Sequence, residues 1–194
     1  MLADTRFYLM IIAFTIFATG GLMVVSQGSP MAQAIGGGVD AAVAATAVSI
    51  IGLANTGGRV LWGWVSDKVG RYPALSIMAV IVAVSGFALS AFTESGSLAL
   101  FLVFAMLIAM CYGGSMGVYP ALTADAFGIK YNGVNYGIMF IGFALGGYIG
   151  PILANSLYDN TGSYSVPLMA VGAMGVVALI ILFVLTAMKK QAQR

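Results

Sequence analysis

The chain has 194 residues, of which 61% are hydrophobic and 7% charged, and its mean hydropathy is +1.02. A soluble domain carries about 25% charged residues, so the composition excludes a soluble globular fold and marks an integral membrane protein. The absence of His removes the commonest general base and metal ligand, and a single cysteine, Cys111, excludes an internal disulfide and a thiolate cluster.

Met1 to Arg6 lack the basic region, short apolar run and small-residue cleavage site of a removable signal peptide. A membrane-spanning helix needs about 20 mostly apolar residues. Six segments meet that need, roughly 7–27, 41–64, 73–92, 98–119, 134–157 and 164–188. The expected fold is an all-α membrane protein, one six-helix transmembrane domain over residues 1–194. An even number of spans puts both termini on one side. Arg6, Lys68, Arg71, Lys130, Lys189, Lys190 and Arg194 fall on that side, and the opposite loops hold only Asp40, Glu94 and Asp159. This asymmetry predicts cytoplasmic termini in a multi-pass cytoplasmic membrane, inner or plasma, with the lipid bilayer as the first partner. The acidic residues are all expected in loops or tails, which leaves Arg59 as the only charge inside a span.

In the first span Thr15, Thr19 and Ser26 recur on one face, with Gln27 and Ser29-Pro30 at the outer end. These hydroxyls either bond back to their own helix or line a cavity. Gly36-Gly37-Gly38 reads as an external loop; no Lys-Ser/Thr follows, so it is not a phosphate cradle. The second span carries Asn55 and Arg59, four residues apart on one face that Gly63 continues. An Arg near mid-membrane costs roughly 2.5–3.5 kcal/mol on insertion scales and faces a bundle interior or a wet cavity. Arg59 also lies only about 12 Å before Asp67 at helical rise, so snorkelling to the interface is the competing reading.

Gly63 to Arg71 reads as a tight charged loop. Gly63 would let a helix approach closely, and Asp67 would accept hydrogen bonds at another helix's start. Gly70 would reverse the chain, while Lys68 and Arg71 would hold the loop at an anionic surface.

The third span, rich in Ala, Val, Ile and Leu, reads as lipid-facing scaffold. In the fourth, Tyr112, Ser115 and Tyr119 share a face among Gly113, Gly114 and Gly117, and Tyr119-Pro120 is expected to end or kink the helix. Hydroxyls on one intramembrane face suit a ligand cavity or packing alike. Gly113 to Gly117 also matches G-x-S-x-G, but no His exists and no Lys or acid lies within a span, so an intramembrane serine protease is excluded. The fifth span has Gly142, Gly146 and Gly150 in a double GxxxG row before Pro151, a packing face that also makes bending cheap. Asn135 and Tyr136 are further polar candidates near its start. The sixth span is apolar nearly throughout and, like the third, reads as scaffold. Polar faces and glycine rows thus mark spans one, two, four and five, a repeat with a period of three helices.

The pattern G-x-x-x-D-x-x-G-R over Gly63–Arg71 resembles the signature loop of the major facilitator superfamily. Further stretches resemble its oxalate/formate antiporter family. They include Gly21-Leu22-Met23, Asn55-Thr56-Gly57-Gly58-Arg59, Tyr112-Gly113-Gly114, the run from Pro120 to Gly128, and Asn135-Tyr136-Gly137. The resemblance is to the C-terminal half, helices seven to twelve, and implies one half of a fold built from two inverted three-helix repeats. In that family an Arg of the eighth helix and a Lys of the eleventh are thought to hold a dicarboxylate. Arg59 matches the first, and the fifth span here has no cation to match the second.

The resemblance implies a secondary transporter half that moves small organic anions such as oxalate, formate or another monocarboxylate, by exchange. It implies no enzymatic turnover, cofactor, metal or nucleic acid. The expected substrate-binding set is Arg59, Asn55, Tyr112, Ser115, Tyr119 and Gln27; the expected switch loop is Gly63, Asp67, Lys68, Gly70 and Arg71. A monocarboxylate suits a single Arg best. The site would be closed by an N-terminal six-helix half, on the same or another chain, or by a second copy. The rival expectation is a non-transporting truncated or assembly-partner membrane protein.

Overall fold

In lipid every backbone N–H and C=O must be satisfied within its own segment, so long apolar runs become helices. The computed structural model describes residues 1–35, 37–93 and 97–192; Gly36, Glu94 and Arg194 lie outside them. Its helices are α1 (Thr5–Ser26), α2 (Gly28–Ile35), α3 (Ala41–Val69), α4 (Arg71–Ala91), α5 (Leu98–Phe127), α6 (Asn132–Thr161) and α7 (Ser165–Ala192). All but α2 are long and apolar enough to cross a membrane.

Side-chain oxygens start several of them. Asp4 accepts from the Arg6 N–H at 2.9 Å and Asp40 from the Val43 N–H at 2.8 Å, each occupying an orphan donor of a first turn. Arg6 also clamps Asp4 with its side chain, which holds that carboxyl below its usual pKa. At the other end of the cycle, Gly70 (φ 92°) and Gly128 (φ 86°) stop α3 and α5 in a backbone region that other residues rarely adopt.

Several helices outrun the expected spans. α3 continues to Val69, so Gly63, Asp67 and Lys68 are helical and only Gly70 breaks the chain before α4. The expected loop is one residue long. α5 runs through Pro120 to Phe127, because the local cost of a missing N–H is outweighed by the packing of the turns on either side. Asp67, Asp125 and Asp159 consequently sit in last helical turns rather than in loops. The short α2 was not expected; Pro30 in its first turn, where an N–H has no partner anyway, is the signal for it.

The helices pack in two layers. A front row runs α6, α1, α5, α3, and α4 and α7 lie paired behind it. Three seams dominate, and glycine makes each. A Cβ on Gly142, Gly146 or Gly150 would meet the backbone or side chains of Ile11, Thr15, Ala18 and Thr19 on α1. On the α3–α5 seam, Gly58 abuts the Met110 carbonyl, Gly113 the Asn55 carbonyl and Gly117 the Arg59 carbonyl. On the third, Gly86 meets the Gly172 backbone and Gly175 meets that of Ala83. So α4 and α7, read from sequence as plain scaffold, carry a glycine seam of their own. Close approach substitutes for the hydrophobic drive that lipid does not supply.

The pairing has the symmetry of an inverted repeat. Mapping α1, α3, α4 onto α5, α6, α7 turns the α1–α6 seam into α5–α3 and returns α4–α7 to itself. The architecture is that of one half of a major facilitator fold.

Candidate functional site

Arg59 is exposed on the open side of α3. Its Nη2 donates to Asn55 Oδ1 at 3.4 Å, four residues towards the helix N-terminus. The guanidinium therefore turns towards mid-span, away from the basic end where α3 finishes, which is the opposite of snorkelling. Among the described residues no carboxylate pairs with it. Asn55 in turn donates Nδ2 to the Ala109 carbonyl of α5 at 3.1 Å. Asn55 thus ties Arg59 to the α3–α5 seam with one N–H and one oxygen lone pair, which leaves one of each.

Tyr112 of α5 and Tyr136 of α6 both lie within electrostatic reach of Arg59. Neither hydroxyl makes a hydrogen bond among the described residues. Tyr112 is pressed against Gly21, where any Cβ would overlap its ring, and it stacks on Phe143 with centroids 6.0 Å apart and planes 7° apart. Phe143 stacks on Phe140 at 4.7 Å, and Phe140 contacts Tyr136 at 5.7 Å. The front of the bundle therefore gathers one exposed cation, the half-buried Tyr136, the largely buried Tyr112 and an aromatic wall. Phe140 and Phe143 were not singled out from the sequence, although with Tyr136 they form a 4-then-3 stripe on one helix face.

The other candidates lie elsewhere. Ser115 is buried and donates to the Tyr112 carbonyl at 2.7 Å. Tyr119 is fully buried, donates to the Met10 carbonyl at 3.1 Å and stacks on Phe14 at 4.0 Å, so it braces α5 against α1. The shared face expected for Tyr112, Ser115 and Tyr119 dissolves because only Tyr112 turns towards Arg59. Gln27 donates to Asn155 at 2.7 Å, tying α1 to α6 at the end of the bundle far from the basic one. Thr15 and Thr19 bond back to the Ile11 and Thr15 carbonyls, each at 2.8 Å, beneath the α6 glycines.

At the basic end, Arg71 gathers the turn residues. It pairs with Asp67 at 2.5 Å, donates to Ser66 Oγ at 2.6 Å and reaches Asp125 of α5 at 3.5 Å. Lys68 sits over the Trp64 ring at 3.8 Å. Asp67 of α3 thus pairs with the side chain of Arg71, the first residue of α4. A Cβ on Gly63 would meet nothing within 4 Å, so this glycine opens onto free space instead of a neighbouring helix of this chain.

The front row is incomplete at its ends. In their most apolar windows α3 and α6 are 28% buried, against 56% for α1 and α4. Leu53 and Val60 on α3 and Val134 and Tyr148 on α6 are between 65% and 76% exposed.

Residues 8–194 match the family model of the Major Facilitator Superfamily. The chain is 33% identical over 165 residues to the oxalate:formate antiporter of Oxalobacter formigenes, covering 83% of this chain and 39% of that protein. It is 31% identical over 141 residues to the MFS-type transporter YhjX of Escherichia coli (strain K12), covering 73% and 34%. It is 28% identical over 124 residues to apicoplast pyruvate carrier 2 of Toxoplasma gondii, covering 63% and 18%. The chain spans well under half the length of these relatives. The seams, the two-layer packing and this match agree: the chain belongs to the Major Facilitator Superfamily, a family of transporters and not of enzymes.

Proposed function

We propose that this chain forms the carboxylate-binding half of a transporter for small organic anions. The observation that carries the reading is the direction of the Arg59 guanidinium: unpaired, exposed, and turned towards mid-span rather than to the interface. A carboxylate can accept two parallel N–H bonds from one Arg. Tyr112 and Tyr136 would add hydroxyl donors, and Phe140 and Phe143 an apolar wall. Asn55 would set the angle of Arg59 rather than touch the anion.

Where a second cation would hold a dicarboxylate, this site offers Phe140 and Phe143. A monocarboxylate such as formate, lactate or pyruvate is the better fit. The relatives named for oxalate and formate and for pyruvate support the anion class. Exchange is the proposed mode, since no described span carries an acid or His at the site to move a proton. The basic end would face the cytoplasm. A second six-helix half would seat on the open faces of α3 and α6 and enclose the site. The turn at Gly70 and the Arg71 pairs would break and remake as the halves rock.

The test is uptake of labelled formate, lactate, pyruvate and oxalate into proteoliposomes holding the complete transporter. Arg59→Ala is expected to abolish saturable exchange, and Arg59→Lys to keep only a small part because it loses the planar fork. Exchange that survives Arg59→Ala would overturn the site. Oxalate outcompeting every monocarboxylate would overturn the substrate class.

A further inference from the structure

Three cations from three helices converge on one cavity of about 50 Å³ at the basic end of the bundle. Arg6 of α1, Arg71 of α4 and Lys189 of α7 line it, with Tyr72 and Asp125. Arg6 commits Nε and Nη2 to Asp4, and Arg71 commits Nε and Nη1 to Asp125, Asp67 and Ser66. Arg6 Nη1, Arg71 Nη2 and Lys189 Nζ make no hydrogen bond among the described residues. Among the described residues Lys189 has no carboxylate partner either; its Nζ lies over the Tyr72 ring, 5.8 Å from the centroid. Free N–H donors on guanidinium groups that carboxylates orient suit a multi-oxygen acceptor such as a phosphate.

A second cavity, of about 270 Å³, continues from the first. It shares Arg71, Tyr72 and Lys189 and adds Val69, Pro73 and Thr186 from the ends of α3, α4 and α7. Further along the spans, Ile77, Val80 and Val84 of α4, on the Pro73 face, and Val176 and Phe183 of α7 are exposed and apolar. A phosphate-sized polar cavity at the level where the spans end, opening onto an apolar helix pair, has the shape of a lipid rather than of a free anion. The position is also remote from Arg59, which lies on the front row.

We propose that this cavity binds the phosphodiester of a membrane phospholipid. Lys189 Nζ, Arg6 Nη1 and Arg71 Nη2 donate to its oxygens, and an acyl chain lies along α4 and α7. Asp4, Asp67 and Asp125 balance the three cations. Recognition therefore rests on short-range donors rather than on net charge, and headgroup charge has little influence.

The test uses the full chain, delipidated in detergent, titrated with phosphatidylglycerol, phosphatidylcholine and inorganic phosphate, and read by native mass spectrometry. One phospholipid is expected to be retained, with similar affinity for the two headgroups. Lys189→Gln is expected to weaken retention about tenfold, the worth of one charge-assisted bond, and Lys189→Arg to preserve it. Lys189 is exposed and makes no ion pair among the described residues, so neither substitution threatens folding. Retention unchanged by Lys189→Gln, or no adduct with the wild type, would overturn the proposal. Inorganic phosphate displacing the lipid at equal concentration would overturn the lipid assignment in favour of a free-anion site.

Discussion

Arg59 is expensive for a membrane helix, and the local structure lowers that cost without neutralising the charge. Asn55 accepts one of its N–H groups, and Gly117 lets α5 lie against the Arg59 backbone. The remaining donors face the open side. The aromatic wall opposite explains a preference for one carboxylate and makes it testable: Phe143→Lys would place a second cation beside Tyr112. Competition assays are expected to show oxalate gaining on lactate and formate by about tenfold, one good charge-assisted bond. Tyr119 has a different role. Its hydroxyl reaches a backbone carbonyl across two helices, so Tyr119→Phe should lower stability by about 0.5–1.5 kcal/mol in a detergent melt and leave anion selectivity unchanged.

At the scale of elements, glycine seams hold the bundle together. Each seam brings two backbones into contact over about two turns, and packing there has no slack. Gly146→Leu would drive a side chain into the Thr15 carbonyl and Thr19 N–H of α1. A loss of about 1–3 kcal/mol, with a lower melting temperature, is expected from such overpacking. The Arg71 pairs behave differently. Asp67 and Asp125 are 63% and 62% exposed, so each pair is worth about 0.2–1 kcal/mol and is screened by salt. Asp125→Asn should therefore barely move the melt. If the pairs latch one conformation, it should instead change exchange rates, and raised ionic strength should do the same to the wild type. Weak contacts suit an element that must open on every cycle.

For the whole molecule, the open faces of α3 and α6 are the main fact. Gly52, Gly57 and Gly63 on α3 and Gly133 and Gly137 on α6 would each accept a Cβ without meeting anything within 4 Å. The glycines of the three seams mark close helix contacts, so open glycines on these two faces fit the second half proposed to seat there. Gly57→Leu gives a clean test. It should leave the melt of this chain unchanged, because no neighbour within the chain is displaced. It should impair exchange by the complete transporter, because an incoming helix would be held off. Unchanged exchange would place the second half on a different face.

Much of this organisation was legible before the fold was known. Composition fixed the membrane, span length fixed the helices, and the spacing of Asn55 to Arg59 and of Gly142 to Gly150 fixed which residues share a face. These are local properties, set by helical periodicity and by the cost of burying charge in lipid. What only the tertiary structure decided was where each face points. Tyr119 sits two turns from Tyr112 yet turns inward, because α1 crosses α5 at Phe14 and Met10 and covers it, and Ser115 is buried with its hydroxyl bonded back to the Tyr112 carbonyl. Gln27 is as polar as Asn55 but ends at the other side of the bundle, on Asn155. Phe140 and Phe143 read as ordinary apolar residues until Tyr112 is brought to them from another helix. The direction of a helix face depends on neighbours distant in the chain, and no local pattern encodes it.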